Sequence, residues 1–158
     1  MLTEPQTLVP RIHEAGTRFV IACTGGGSST IAQLLDVPGA SRSILAAVVP
    51  YGDAALTEWL GGQPDQSCAA STARAMAMAA FCRARKYDEA ASNLAGLGCT
   101  ASLATDRPKR GPHRVHLAAQ TAEATVTWSL ELAKGRRSRS EEELLTGCLF
   151  LNLTAETA

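Results

Sequence analysis

The stretch ACTGGGSST, residues 22–30, decides how this chain folds. An apolar run, RFVIAC (residues 18–23), leads into it, and IAQLLDV (residues 31–37), helical in character, leads out of it. Three glycines and then hydroxyl residues between a strand and a helix describe a strand–turn–helix junction. Glycines let the backbone approach a neighbour closely, and the free N–H groups of the following helix attract an anion. The stretch is therefore either a cradle for a phosphate or carboxylate or simply a tight turn. It has no GxGxxG spacing and no GK[ST] follows it, so neither nucleotide fingerprint applies.

Working outward, TRFVIAC (residues 17–23) reads as a short buried strand, and Ser28 or Ser29 can cap a helix that ends before Pro38-Gly39. Residues 3–15 read as a helix despite Pro5 and Pro10. SILAAVVPY (residues 43–51) is continuously apolar between turn residues, which suits a central strand. DAALTEWLG (residues 53–61) reads as a short helix stopped by Gly61-Gly62. A strong alanine- and methionine-rich helix starts at Ser67 or Ser71, runs to about Arg85 and packs on the sheet. NLAGLGCTASLA (residues 93–104) is a strand running into a loop. RVHLAAQ and ATVTWSLEL (residues 114–120 and 124–132) pair as a hairpin. The last helix starts near Ser138 or Ser140. Ser140 with Glu143 has capping-box spacing, and Leu144, Leu145, Cys148, Leu149 and Leu151 form its apolar face. Alternating helices and apolar strands make an α/β sandwich with helices on both faces of one sheet, a single domain over residues 1–158.

Composition narrows the partners. The chain has 158 residues, 46% hydrophobic and only 4% aromatic, so small side chains dominate the core. Lys+Arg and Asp+Glu both total 15, which gives no sign of a nucleic-acid or membrane partner. No apolar run approaches the roughly 20 residues of a membrane span, and the first residues lack the pattern of a secretion signal, so a cytoplasmic location is expected. The five cysteines, Cys23, Cys68, Cys82, Cys99 and Cys148, have neither CxxC nor zinc-site spacing. No metal and no cofactor is expected. Small buried thiols are the simpler reading, except for Cys23, whose position before a helix N-terminus would lower its pKa.

Four features carry candidate chemistry. The loop Thr24, Gly25, Gly26 and Gly27 would hold a ligand by backbone. The turn DRPKRGPHR (residues 106–114) concentrates Arg107, Lys109, Arg110, His113 and Arg114, which suit a phosphate if the turn folds back beside the glycines and are a solvated loop otherwise. Ser28, Ser29, Tyr51, Thr100 and Ser102 lie at strand ends or loop starts, where α/β sheets bind ligands. Lys134, Arg136, Arg137 and Arg139 form a basic turn that balances the following EEE, with one arginine able to reach a ligand. No His–Asp pair can be assigned to activate a nucleophile, and His13 and His116 look like ordinary surface or strand residues.

Taken in order, ACTGG followed by LLDVPGASRSILAAVVPY (residues 34–51), then STARAMAMAA (71–80) and GRRSRSEEELLTGCLFLNL (135–153), resembles the CinA C-terminal domain family. The resemblance spans nearly the whole chain and is most specific from Cys23 to Tyr51. It implies a three-layer α/β/α fold, often dimeric. It also implies kinship to nicotinamide-nucleotide amidases, which convert nicotinamide mononucleotide to nicotinic acid mononucleotide and ammonia with a serine nucleophile activated by a lysine. Here the serine position is Ala22. The lysine position, five residues after the strand-end tyrosine in YGDAAL, is Leu56. Of that group only Tyr51 remains. The family's Thr-Gly-Ile-Ala-Gly-Pro loop corresponds to GCTASL (residues 98–103).

Three functions follow. One is a module that binds a mononucleotide through Thr24 to Gly27, Thr100, Ser102 and the basic residues Lys109, Arg110, His113 and Arg114, without the ancestral reaction. Another is an amidohydrolase with a relocated nucleophile among Ser28, Ser29 and Cys23, assisted by Tyr51. The last is a regulatory subunit acting through a protein partner.

Overall fold

The computed structural model describes residues 4–158. Five strands form one mixed sheet in the order β2-β1-β3-β4-β5. Strand β1 (Arg18–Thr24) runs parallel to β2 (Ile44–Val48) and to β3 (Leu94–Ser102), with Cys23 level with Cys99 and Thr24 with Thr100. Strands β4 (His113–Gln120) and β5 (Thr125–Leu132) follow β3 antiparallel as the expected hairpin.

Side-chain alternation sorts the core into two layers. On one face Phe19, Ile21 and Cys23 of β1 and Leu97, Cys99 and Ala101 of β3 meet helices α1 (Pro5–Glu14), α2 (Ser28–Asp36) and α5 (Arg139–Thr157). On the other face Val20 and Ala22 meet α3 (Asp53–Leu60) and α4 (Ala70–Tyr87). The fold is the expected three-layer α/β/α sandwich. Helix α4 lies very close to β3, because a Cβ on Gly96 or Gly98 would collide with α4 backbone at Ala77. An alanine-rich helix over a strand with alternate glycines is thus one packing solution: small residues on both sides bring backbone to backbone.

The structure corrects four expectations. The apolar run SILAAVVPY forms an edge strand, not a central one, and each residue of β2 is only half-buried. Helix α5 is capped by Ser138. Its hydroxyl accepts from Glu141 N–H at 3.3 Å and the Glu141 carboxylate accepts from Ser138 N–H at 2.7 Å, so the capping box is Ser138/Glu141 and Ser140 lies inside the helix. The buried face of α5 includes Glu142, Thr146, Phe150 and Leu153, whereas Leu144 is exposed. His13 is a buried pin: Nε2 donates to the Leu34 carbonyl at 2.9 Å and Nδ1 pairs with Ser43 Oγ at 2.6 Å, joining α1 to α2 and to the start of β2.

Candidate functional site

The glycine turn is shaped by its own neighbours. Gly25 and Gly27 have φ of +76° and +95°, a region L side chains rarely enter. A Cβ on Gly25 would overlap the Ala101 carbonyl, and one on Gly27 would fall 2.8 Å from Cys99 Sγ. The turn therefore lies directly against the end of β3. The N–H groups that would cradle an anion already hold one. Gly27 N–H donates to both Glu143 carboxylate oxygens at 3.0 and 2.9 Å, and Ser29 N–H donates to Oε1 at 3.1 Å. Glu143 comes from the second turn of α5. The spacing that suggested a cap with Ser140 belongs instead to a carboxylate reaching another helix's N-terminus, where a negative charge is stabilised.

Beside this turn opens a cavity of about 530 Å³, lined by Cys23, Gly26, Ser28, Val49, Tyr51, Ser138, Arg139, Ser140 and Glu143. Its size suits a small molecule. Of the three glycines only Gly26 lines it. Tyr51 is 62% exposed, an aromatic face held at the rim by Thr24, whose hydroxyl donates to the Tyr51 carbonyl at 3.4 Å. Arg139 donates from Nη2 to the Gly25 carbonyl at 2.7 Å and from Nη1 to the Ala104 carbonyl at 3.3 Å. Among the described residues it has no carboxylate partner. A guanidinium held only by carbonyls keeps a net charge for a ligand.

The proposed nucleophiles are placed unequally. Ser28 lines the cavity. Ser29 is turned inward, its hydroxyl buried without a partner and lodged against Gly147. The Cys23 thiol is buried and pushed up to about 12, first by desolvation and then by the Glu143 charge. Burial, with the Glu143 charge second, thus outweighs the lowering that the helix N-terminus alone would cause. Ala22 and Leu56, far apart in sequence, pack together with Met76 in one apolar cluster, 0% and 1% exposed. Neither lines the cavity.

The basic turn does not fold back onto the glycines. Lys109 Nζ donates to Ser102 Oγ at 3.2 Å, and Arg114 donates from Nε and Nη2 to the Cys68 carbonyl at 3.2 and 3.1 Å. Thr100 donates to the Ser67 carbonyl at 2.6 Å. Arg110 is exposed. None of these residues, nor His113, lines the cleft. His113 is buried, and its Nδ1 pairs with Glu142 Oε1 at 2.8 Å, while Glu142 Oε2 accepts from Ala104 N–H at 2.6 Å. His116 pairs with Ser129 Oγ at 2.7 Å, and burial followed by the Arg114 charge lowers its pKa.

The sequence marks Glu143 only as a capping-box partner for Ser140, and it gives Glu142 no role. Both sit in an EEE run that resembles an ordinary solvated helix start. One signal does mark Glu142: it falls in helical phase with the buried Thr146, Phe150 and Leu153. Among the described residues no group of three or more His, Cys, Asp or Glu side chains could hold a metal ion, and no helix is long and apolar enough to cross a membrane.

A mixed sheet between two helical layers, with a cleft where β1 turns into α2 and α5 begins, defines an α/β/α sandwich. The sequence model of the CinA C-terminal domain matches residues 5–152, and the chain belongs to that family. Among solved structures it is similar to competence/damage-inducible protein CihA from Agrobacterium tumefaciens, at 19% identity and a TM-score of 0.78 over 99% of this chain and 98% of that one. It is also similar to the competence damage-inducible protein A (ComA) from Klebsiella pneumoniae, at 14% identity and a TM-score of 0.79 over 98% and 96%. A CinA superfamily protein from Enterobacter cloacae is 16% identical, with a TM-score of 0.73 over 98% and 90%. No curated protein sequence matches the chain.

Proposed function

We propose that this chain binds a nicotinamide-type mononucleotide, or a related small phosphate-bearing molecule, without carrying out serine–lysine amide hydrolysis. One observation carries the reading: an open cleft lies apart from the apolar cluster that holds Ala22 and Leu56. The cavity of about 530 Å³ keeps an aromatic rim and an arginine whose hydrogen bonds go to carbonyls. The two positions where the family resemblance expects serine and lysine are instead Ala22 and Leu56, packed against each other in apolar core. An alanine cannot attack a carbonyl and a leucine cannot accept a proton.

The ligand's phosphate faces Arg139 and the hydroxyls of Ser138 and Ser140 at the start of α5, because Glu143 already fills the seat at the start of α2. Tyr51 offers its ring to the base. Glu143 locks the glycine turn and keeps the Cys23 thiol protonated, which speaks against a relocated cysteine nucleophile.

The test is incubation of the pure protein with nicotinamide mononucleotide. Mass spectrometry follows nicotinic acid mononucleotide, and calorimetry follows binding. Binding without turnover is expected, with Arg139→Gln weakening it by about tenfold, the worth of one charge-assisted hydrogen bond. Turnover above a heat-killed control refutes the non-hydrolytic reading and sends the search to Ser28. Absence of binding refutes the ligand class.

A further inference from the structure

A second cavity, of about 400 Å³, lies between the turn carrying Arg107 and Lys109 and the turn carrying Lys134 and Arg137, with His113 in its wall. Four cations and an imidazole surround it, against one carboxylate, Asp106. Among the described residues none of the four cations forms an ion pair. Like charges gathered without counter-charges repel, so the fold must hold them in place.

Two devices do so. Lys134 Nζ donates to the Lys109 carbonyl and, at 3.1 Å, to the Gly111 carbonyl, which staples the two turns into facing walls. Behind them Glu142, 0% exposed, accepts from His113 Nδ1 and from Ala104 N–H. A buried carboxylate is costly, and here it is spent on fixing one imidazole and one loop amide. His113 is 6% exposed, and among the described residues its Nε2 has no hydrogen-bond partner. It is a buried, oriented polar group with one nitrogen left over in the wall of a cationic cavity. Lys109 shows how crowded the charge is: burial first, and Arg139 next, push its pKa below the ordinary lysine value.

We propose that this cavity is a separate phosphate-binding site, in which Arg107, Lys109 and Arg137 neutralise the anion and His113, held through Nδ1–H on Glu142, meets it through Nε2, as an acceptor from a P–OH group or, when the ring carries a second proton, as a donor. The shared chemistry is a phosphate group, either free or as the ester of a small molecule. The site does not depend on the ligand assigned to the cleft, because Arg139 serves that cleft and the cavity residues do not line it.

The experiment titrates the intact protein with pyrophosphate, inorganic phosphate and a mononucleotide at physiological ionic strength, where weak surface attraction is screened. Calorimetry gives affinity, and NMR of the labelled histidine rings reports on His113. The expected result is saturable pyrophosphate binding that shifts the His113 ring signals and weakens by about tenfold or more in Arg107→Gln/Arg137→Gln. Arg139→Gln, which removes one charge beside Lys109 but no lining side chain, should change it far less than the double variant does. Both substituted arginines are exposed, so the double variant should fold. His113→Asn, which keeps an N–H toward Glu142 and removes Nε2, should also weaken binding. A free-anion site holds inorganic phosphate as well as the ester, whereas an ester site prefers the mononucleotide. Equal binding by the double variant, or loss in Arg139→Gln instead, overturns the assignment.

Discussion

Cys23 shows how burial, helped by one charged neighbour, decides a residue's chemistry. Its place before a helix N-terminus reads in sequence as an activated thiol. In the fold, desolvation and the Glu143 carboxylate raise its pKa from 9.0 to about 12, and burial raises Cys68 and Cys99 as well. The sign of the stability effect follows. Above pH 9 the unfolded chain releases these protons while the folded chain keeps them, so the folded state binds more protons and stability falls as pH rises. Each such thiol contributes a slope of about 1.4 kcal/mol per pH unit between its two pKa values. Urea unfolding at pH 7 to 10.5 should show this loss, and Cys23→Ala should flatten the curve above pH 9. An unchanged slope in that variant would mean that Cys23 ionises normally. The missing signal was not in the loop at all; it lay 120 residues downstream in Glu143.

At the scale of elements, the α2–α5 contact carries most of the difference between expectation and structure. The turn, both flanking elements and the last helix were legible because each rests on local chemistry: glycines, a hydroxyl cap, an apolar run. Two things were not. The rank of β2 in the sheet depends on which strand pairs outside it, and an apolar run of a given length does not encode that. The partner of Glu143 is a tertiary choice, since Ser138 and Glu141 complete the local cap and free Glu143 to cross to α2. That crossing makes Glu143 an internal anion. Glu143→Ala should therefore lower stability by about 1–3 kcal/mol, because two N–H groups lose a charged acceptor. The vacated seat should then accept a free anion. The melting temperature of the variant should rise with added phosphate more steeply than that of the unaltered protein. Parallel responses of the two proteins to phosphate would show that the α2 N-terminus is not an anion seat.

At the scale of the whole molecule, the sheet isolates its two faces. The cleft, Cys23 and Glu143 belong to the layer of α1, α2 and α5, whereas Ala22 and Leu56 belong to the layer of α3 and α4. Restoring a serine and a lysine at those two positions therefore tests more than two side chains. Leu56→Lys places an ammonium where only 1% of the side chain is exposed and the cluster is apolar. It should cost about 3 kcal/mol or more, against a domain stability of roughly 5–15 kcal/mol. Burial would also lower the lysine pKa, which is the state a general base needs. Ala22, Leu56 and Met76 line neither of the two cavities, so a neutral lysine there has nothing to act on. Ala22→Ser/Leu56→Lys should melt well below the unaltered protein and still leave nicotinamide mononucleotide intact. A double variant that keeps its melting temperature and hydrolyses the nucleotide would show that the reaction centre is only two substitutions away, with the rest of the catalytic geometry still in place behind the sheet.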